Sequence, residues 1–194
     1  LVFTHDPNTG KRNVGMYRVQ QLDKKSVAMH WQRHKTGAEH MRQMAERGEK
    51  MPVCIVVGAD PASMFSASAP LPPNIDEFLF AGFLRRDPVK LTKAVSCDLE
   101  VPADAEFVIE GYIDPAEALV VEGPFGDHYG YYSLQHDYPP FQTQRMAHRA
   151  DAIFPATVVG KPPQEDKFLG LAAGEMVGPL IKLIHPNVVD LAAY

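Results

Sequence analysis

A surplus of basic charge, a long apolar run and a paired cysteine motif are all missing from this chain of 194 residues. Its 19 Lys and Arg face 24 Asp and Glu, a net charge of −5, which excludes a general electrostatic grip on nucleic acid. No apolar stretch approaches the roughly 20 residues that a membrane-crossing helix needs. Only Cys54 and Cys97 carry thiols, with no CxxC and no spacing that pairs them. They read as reduced core thiols, which suits a cytoplasmic protein. Internal repeats and low-complexity tracts are absent too. What remains is 45% hydrophobic and 22% charged, the ordinary mixture of a single domain over residues 1–194 with a well-buried core.

The patterning mixes helices with strands, an α+β arrangement. GKRNVGMYRVQQ (10–21) reads as a loop leading into a strand, DKKS (23–26) as a polar turn, and VAMHWQ (27–32) as the returning strand of an antiparallel hairpin. TGAEHMRQMAERGEK (36–50) reads as a helix opened by a Thr36–Glu39 capping box, with Met41, Met44, Ala45 and Gly48 on one face. MPVCIVVGAD (51–60) is a buried strand. LPPNIDEFLFAGFLRRDP (71–88) reads as a helix with Asn74 as N-cap and Glu77 as its capping partner. From about Pro88 to Pro124, VKLTKAV, CDLEVP, EFVIEGYI and ALVVEG are short strand-like runs spaced as in barrels and sandwiches, and TQRMAHRADAIF and ATVVG are further strand-like segments. KPPQEDKFLG then opens a C-terminal helix, with prolines ahead of acidic first-turn residues.

Several residues have side chains suited to chemistry. His30, His34 and His40 lack the glutamate of an H-E-x-x-H zinc site, and His30, His40, His136, His148 and His185 read as surface or hydrogen-bonded imidazoles. Asn13, His34 and Glu77 form a mixed oxygen–nitrogen set that suits manganese or magnesium beside a phosphate. Each also has a plainer reading, as turn residue, strand end and helix cap. Arg18 sits between apolar residues, where an arginine is exposed, at an edge or paired with an acid. VEGPFGDHYGYYS (121–133) offers Glu122 and Asp127 as that acid, with His128, Tyr129, Tyr131 and Tyr132 following. It reads either as an acidic aromatic turn or as a pocket lining, and Phe78, Phe80, Phe125 and Tyr131 divide evenly between pocket and core. If Arg18 faces the acids, one carboxylate stays ionised while the other, partly desolvated, keeps a proton.

Together RNVGMYRVQ, MHWQRHK, PPNIDEFLFAG, EGPFGDHYGYY and KPPQED resemble, in order, the UbiD family of reversible non-oxidative decarboxylases that use prenylated flavin mononucleotide (prFMN). The likeness runs from about Gly10 to Gly170. It implies a split β-barrel like that of flavin reductases with a few flanking helices, the central portion of a longer enzyme whose N-terminal α/β and C-terminal oligomerisation regions are absent here. It implies Asn13, His34 and Glu77 as ligands of Mn2+ (or Mg2+), with K+ nearby. Asn13, Val14, Gly15, Met16, Tyr17, Arg18, Arg33 and His34 become cofactor-binding residues. Arg18, Glu122 and Asp127 become the catalytic network, with Asp127 as proton donor.

The implied reaction is decarboxylation of an aromatic or α,β-unsaturated acid. The sequence texture resembles the branch acting on polyprenyl-hydroxybenzoate or a related precursor of ubiquinone or menaquinone. The implied partners are that acid, a flavin prenyltransferase that supplies the cofactor, further copies of the full-length chain, and a membrane surface touched peripherally. The isolated piece is expected to be poorly active. A flavin-binding split-barrel oxidoreductase and a non-catalytic flavin-binding module are the competing readings.

Overall fold

The computed structural model describes residues 1–71, 75–161 and 163–191. In chain order these form β1 (Val2–His5), β2 (Arg12–Gly15), β3 (Val19–Gln21), β4 (Ser26–Met29), α1 (Thr36–Arg47), β5 (Met51–Val57), α2 (Pro61–Ser66) and α3 (Glu77–Arg85). There follow β6 (Leu91–Lys93), β7 (Glu100–Pro102), β8 (Phe107–Ile113), β9 (Val120–Glu122), β10 (His136–Tyr138), β11 (Pro140–His148) and α4 (Glu165–Ile184). Seven strands make one antiparallel sheet in the order β2-β1-β5-β8-β11-β4-β3. β6–β7 and β9–β10 are separate two-stranded hairpins.

The two edge strands, β2 and β3, are consecutive in the chain and joined by Met16, Tyr17 and Arg18 alone. In a flat sheet, six strand spacings of about 4.8 Å would hold the edges roughly 29 Å apart. The four Cα steps from Gly15 to Val19 reach at most about 14 Å. The sheet must therefore curl until its edges nearly meet, and the short seam between them holds it as a half-barrel. This agrees with the mixed, split-barrel-like expectation.

The apolar run of β5 is buried on both faces, because a pleated strand sends alternate side chains to opposite sides. Val53 and Ile55 join Val2, Met29, Trp31, Met44, Ile113 and Phe141 under α1. Cys54 and Val56 join Phe3, Val14, Phe78, Leu99 and Val101 under α3 and the β6–β7 hairpin. Each such side chain contributes about 1.5–3 kcal/mol on burial. The close approach of β8 to β11 requires Gly111, where a Cβ would lie 2.0 Å from the Gln142 carbonyl oxygen. Glu110, buried in mid-strand, accepts from the Val95 and Ser96 amides and the Ser96 hydroxyl, so it pins the β6–β7 turn. Cys54 and Cys97 are free thiols whose Sγ atoms lie 3.6 Å apart.

Some local expectations give way. Thr36 is the first helical residue of α1 rather than its cap; Lys35 takes that position without a side-chain bond, and Glu39 pairs with Arg42 and Gln43 instead. The buried face of α1 is Gly37, Ala38, His40 and Met44; Ala45 is exposed, and Gly48 ends the helix in the left-handed region (φ 66°) that glycine favours. Asp76 caps α3, accepting from the amides of Phe78 and Leu79, so Glu77 is not a capping partner. Asn74 lies outside the described residues. ATVVG forms no strand, because it pairs with no neighbour. No helix among the described residues is long and apolar enough to cross a membrane.

Candidate active site

The seam that closes the sheet carries candidate site residues at both of its ends. Beyond its N-terminal end lies a cleft of about 520 Å³, within the range of small-molecule sites. Asn13, Val14, Gly15 and Tyr17 line it from the seam, Lys35, Thr36 and His40 from the start of α1, and Asp76 and Glu77 from α3. Lys11 and Arg12 add positive charge at its rim. Tyr17 is fixed as a wall: its hydroxyl accepts from the Gly37 amide at 3.0 Å, and its ring meets Trp31 edge-on at 4.7 Å.

Asn13 is buried, and its amide nitrogen donates to the Thr4 hydroxyl, which also contacts His40 Nδ1 at 2.9 Å. Asn13 is thereby left with its carbonyl oxygen to offer the cleft. Glu77 accepts from the Val14 amide at 3.2 Å, yet burial pushes its carboxyl above the ordinary glutamate value. A desolvated carboxylate beside an amide oxygen is a donor set that a hard cation such as manganese or magnesium would relieve. The third expected ligand is not brought alongside. His34 and Arg33 are exposed in the turn before α1, and neither lines the cleft. Among the described residues, no group of three or more His, Cys, Asp and Glu side chains is placed to hold a metal.

Beyond the C-terminal end of the seam, Arg18 meets Glu122 of β9 through two parallel bonds, Nε to Oε1 at 2.6 Å and Nη2 to Oε2 at 3.0 Å. Glu122 has 0% exposure, whereas the Arg18 side chain keeps 31%. The Phe125 ring lies 4.7 Å from the guanidinium carbon. Burial raises the Glu122 pKa, but hydrogen bonds from Arg18 and His30 outweigh it and hold the carboxyl below the usual glutamate range. Glu122 is ionised at neutral pH.

The loop after β9 turns where glycine is required. Gly123 has φ 94°, and its amide donates to Gln20 Oε1 of β3 at 2.7 Å, which ties the loop to the sheet edge. Asp127, half-buried, accepts from the His128 amide at 2.7 Å, and its charge reaches Arg18 through space without a direct bond. The phenols do not line a pocket: Tyr129, Tyr131 and Tyr132 are 78–80% exposed. Phe78 is core against Phe3, and Phe80 stacks with Phe83. Of the four aromatic candidates, only Phe125 stands beside the acid pair.

Sequence reasoning missed the part played by His30 and Tyr138. His30 Nδ1 lies 3.3 Å from the Glu122 carboxylate, and its Nε2 lies 3.3 Å from the Tyr138 hydroxyl. No local signal in the sequence finds them: the observed pairing of Val19 with Met29 sets Arg18 beside His30, and the pairing of β10 with β9 brings Tyr138 to the same place.

Comparison with known proteins places the chain among relatives. The family model described as UbiD, 3-octaprenyl-4-hydroxybenzoate carboxy-lyase Rift-related domain, matches residues 1–162. An uncharacterized protein of Archaeoglobus fulgidus is 50% identical over 192 residues, covering 98% of this chain and 40% of that protein. The closed form of vanillic acid decarboxylase from Sedimentibacter hydroxybenzoicus superimposes with a TM-score of 0.91 at 32% identity, covering 99% of this chain and 42% of that one. An evolved dimeric form of the UbiD-class enzyme HmfF from Pelotomaculum thermopropionicum, in complex with prFMN, gives a TM-score of 0.86 at 26% identity over 100% of this chain and 44% of that one. The chain thus spans about two fifths of the length of the relatives it matches.

Proposed function

The chain belongs to the UbiD carboxy-lyase family, and on that premise we propose that residues 1–194 are the central flavin-binding portion of a longer decarboxylase. Its substrate is an aromatic or α,β-unsaturated carboxylic acid, with a polyprenyl-hydroxybenzoate or related quinone precursor as the specific candidate. The observation that carries this reading is the buried Glu122 carboxylate held by both arms of a partly exposed Arg18.

Two guanidinium N–H groups are used by Glu122, which leaves the others and the exposed side of Arg18 to meet an anionic substrate. Glu122, kept ionised, holds the guanidinium in place and is a poor acid. Asp127 is half-buried and within electrostatic range of Arg18, and its carboxyl accepts from the adjacent His128 amide without bonding Arg18, so it is the group suited to carry the proton to carbon. Bound prenylated flavin would supply an electron sink beside the departing carboxylate. Asn13 and Glu77 would hold a divalent cation against its phosphate, with Lys11, Arg12 and Lys35 favouring that anion at the cleft rim. His34 would complete the ligand set, with K+ nearby and Arg33 beside the phosphate, only after the turn ahead of α1 moves inward.

The HmfF complex with prFMN supports a flavin in this family, and vanillic acid decarboxylase supports an aromatic acid. Cofactor supply by a flavin prenyltransferase, a cytoplasmic location with peripheral membrane contact for a lipid-tailed substrate, and homo-oligomerisation of the full-length protein belong to the same proposal. On its own the chain would bind flavin weakly and turn over poorly. The test is mass spectrometry of small molecules released from the full-length protein, together with carbon dioxide release from aromatic acids. Prenylated flavin and release that Glu122→Gln and Asp127→Asn abolish are expected. Full activity in both variants overturns the assignment.

A further inference from the structure

A carboxylate with no exposed surface needs donors for both oxygens, and Arg18 is not the only one Glu122 has. His30, at the end of β4, places Nδ1 3.3 Å from both Oε1 and Oε2. An ionised carboxylate can only accept, so Nδ1 carries the imidazole proton. Nε2 is then a lone pair, and the Tyr138 hydroxyl, 3.3 Å away, donates to it. The two rings also pack against each other at a tilt, 4.2 Å between centroids and 39° between planes. The imidazole is therefore held at its far nitrogen and on its face, with its side chain 13% exposed.

We propose that His30, locked in the Nδ1–H tautomer by Tyr138, is a positioning residue that keeps Glu122 ionised and aimed at Arg18, so that Asp127 alone is left to deliver the proton. This inference rests on the decarboxylase reading and adds two residues to it. His30 touches Glu122 rather than the substrate, which makes its action indirect. The charged and titratable groups that face it are Glu122, Arg18, His136 and Tyr138. Burial lowers its pKa, and Arg18 and His136 push the same way against Glu122, so it stays neutral while it donates. A neutral donor has a consequence that a cationic one lacks: no proton can pass from Nδ1 of His30 to Glu122 unless Nε2 takes one up from Tyr138 or solvent.

The test uses the 194-residue chain labelled with carboxyl-13C glutamate, with the Glu122 signal assigned by its loss in Glu122→Gln. In the wild type the Glu122 midpoint lies below the ordinary glutamate value. In His30→Ala it rises by about one pH unit, the loss of one hydrogen bond to a charge. His30→Asn, whose side-chain amide offers a donor in place of Nδ1, returns it towards the wild-type value. Tyr138→Phe, which frees the tautomer, moves it by less. An unchanged midpoint in folded His30→Ala overturns the proposal. So does a wild-type imidazole 15N spectrum showing the Nε2–H tautomer, a measurement that needs no variant to fold. In the full-length enzyme, His30→Ala shifts the acid limb of the kcat/KM profile upward while KM changes little, and His30→Asn restores it. If the carboxyl titrations behave as stated but no acid is decarboxylated, the reaction assignment fails and the positioning of Glu122 stands.

Discussion

Arg18 and Glu122, 104 residues apart in the chain, lie side by side with guanidinium and carboxylate joined by bonds of 2.6 and 3.0 Å. The geometry is bidentate, and only arginine supplies a planar fork of that shape.

Arg18→Lys keeps the charge but loses the fork. In the full-length enzyme kcat/KM should fall by about two orders of magnitude or more, the usual scale for a group that organises proton transfer. Stability of the chain should drop by only about 1–2 kcal/mol, less than for a fully buried pair, because Arg18 is partly solvated. Steady-state kinetics and urea titration separate the two effects.

Acid should weaken the fold in two steps. Burial lowers the pKa of both His30 and His40 below 6.5, so the unfolded chain takes up protons first as the pH falls through that value. Their contribution to stability is present above pH 6.5 and is lost as the pH falls from there to the lowered folded values. Glu122 has a lowered folded value, so its contribution is lost only further down, as the pH falls below the ordinary 4.5 through that value. Melting temperature measured against pH should show the first drop, flattened in His40→Gln.

The thiols should react unequally. The hydrogen bond from Cys54 lowers Cys97 to about 7, against the effect of burial and with help from the Leu99 amide, whereas Cys54 is pushed up. Iodoacetamide at neutral pH should label Cys97 first, read by peptide mass spectrometry. Diamide should instead join the two sulfurs with loss of both thiol hydrogens. A Cys97→Ser variant should give no internal disulfide.

Gly111→Ala should be among the most damaging small substitutions, since the added carbon meets the Gln142 backbone and the fully buried Phe141 ring, neither of which can give way easily. A cost of about 3 kcal/mol, at the upper end for overpacking, is expected in urea unfolding.

On the proposed reading of the cleft as the cofactor's phosphate and cation site, removing its oxygen donors should weaken flavin retention. Asn13→Ala or Glu77→Gln should lower the manganese dependence of flavin binding, followed by fluorescence, while leaving the Arg18–Glu122 pair intact.

Much of the fold is legible wherever burial pattern and period agree. MPVCIVV is apolar at every other position on both faces, and a doubly buried strand is what it forms. The hairpin around DKKS is equally readable, but not its register. A turn symmetric about 23–26 sets Arg18 opposite Trp31, whereas the observed pairing of Val19 with Met29 sets it beside His30. One residue of slip exchanges a polar partner for an apolar one, and nothing local decides it. The helix caps escape for a related reason. Asn74, Asp76 and Thr36 are all competent capping types, and selection among them depends on where tertiary packing lets each helix begin. The residues of the site are spread from Asn13 to Tyr138 and converge only because the sheet closes on itself.

The three-residue seam has a mechanical consequence. Asn13 and Arg18 ride on one short ribbon, so the three residues between the two edges fix how far apart and in what phase they sit. Inserting a single glycine after Met16 would shift Arg18 out of phase with Asn13 and loosen the tie between the two sheet edges. The cleft residues and the Arg18–Glu122 pair would lose their alignment together, even with every one of those side chains still encoded.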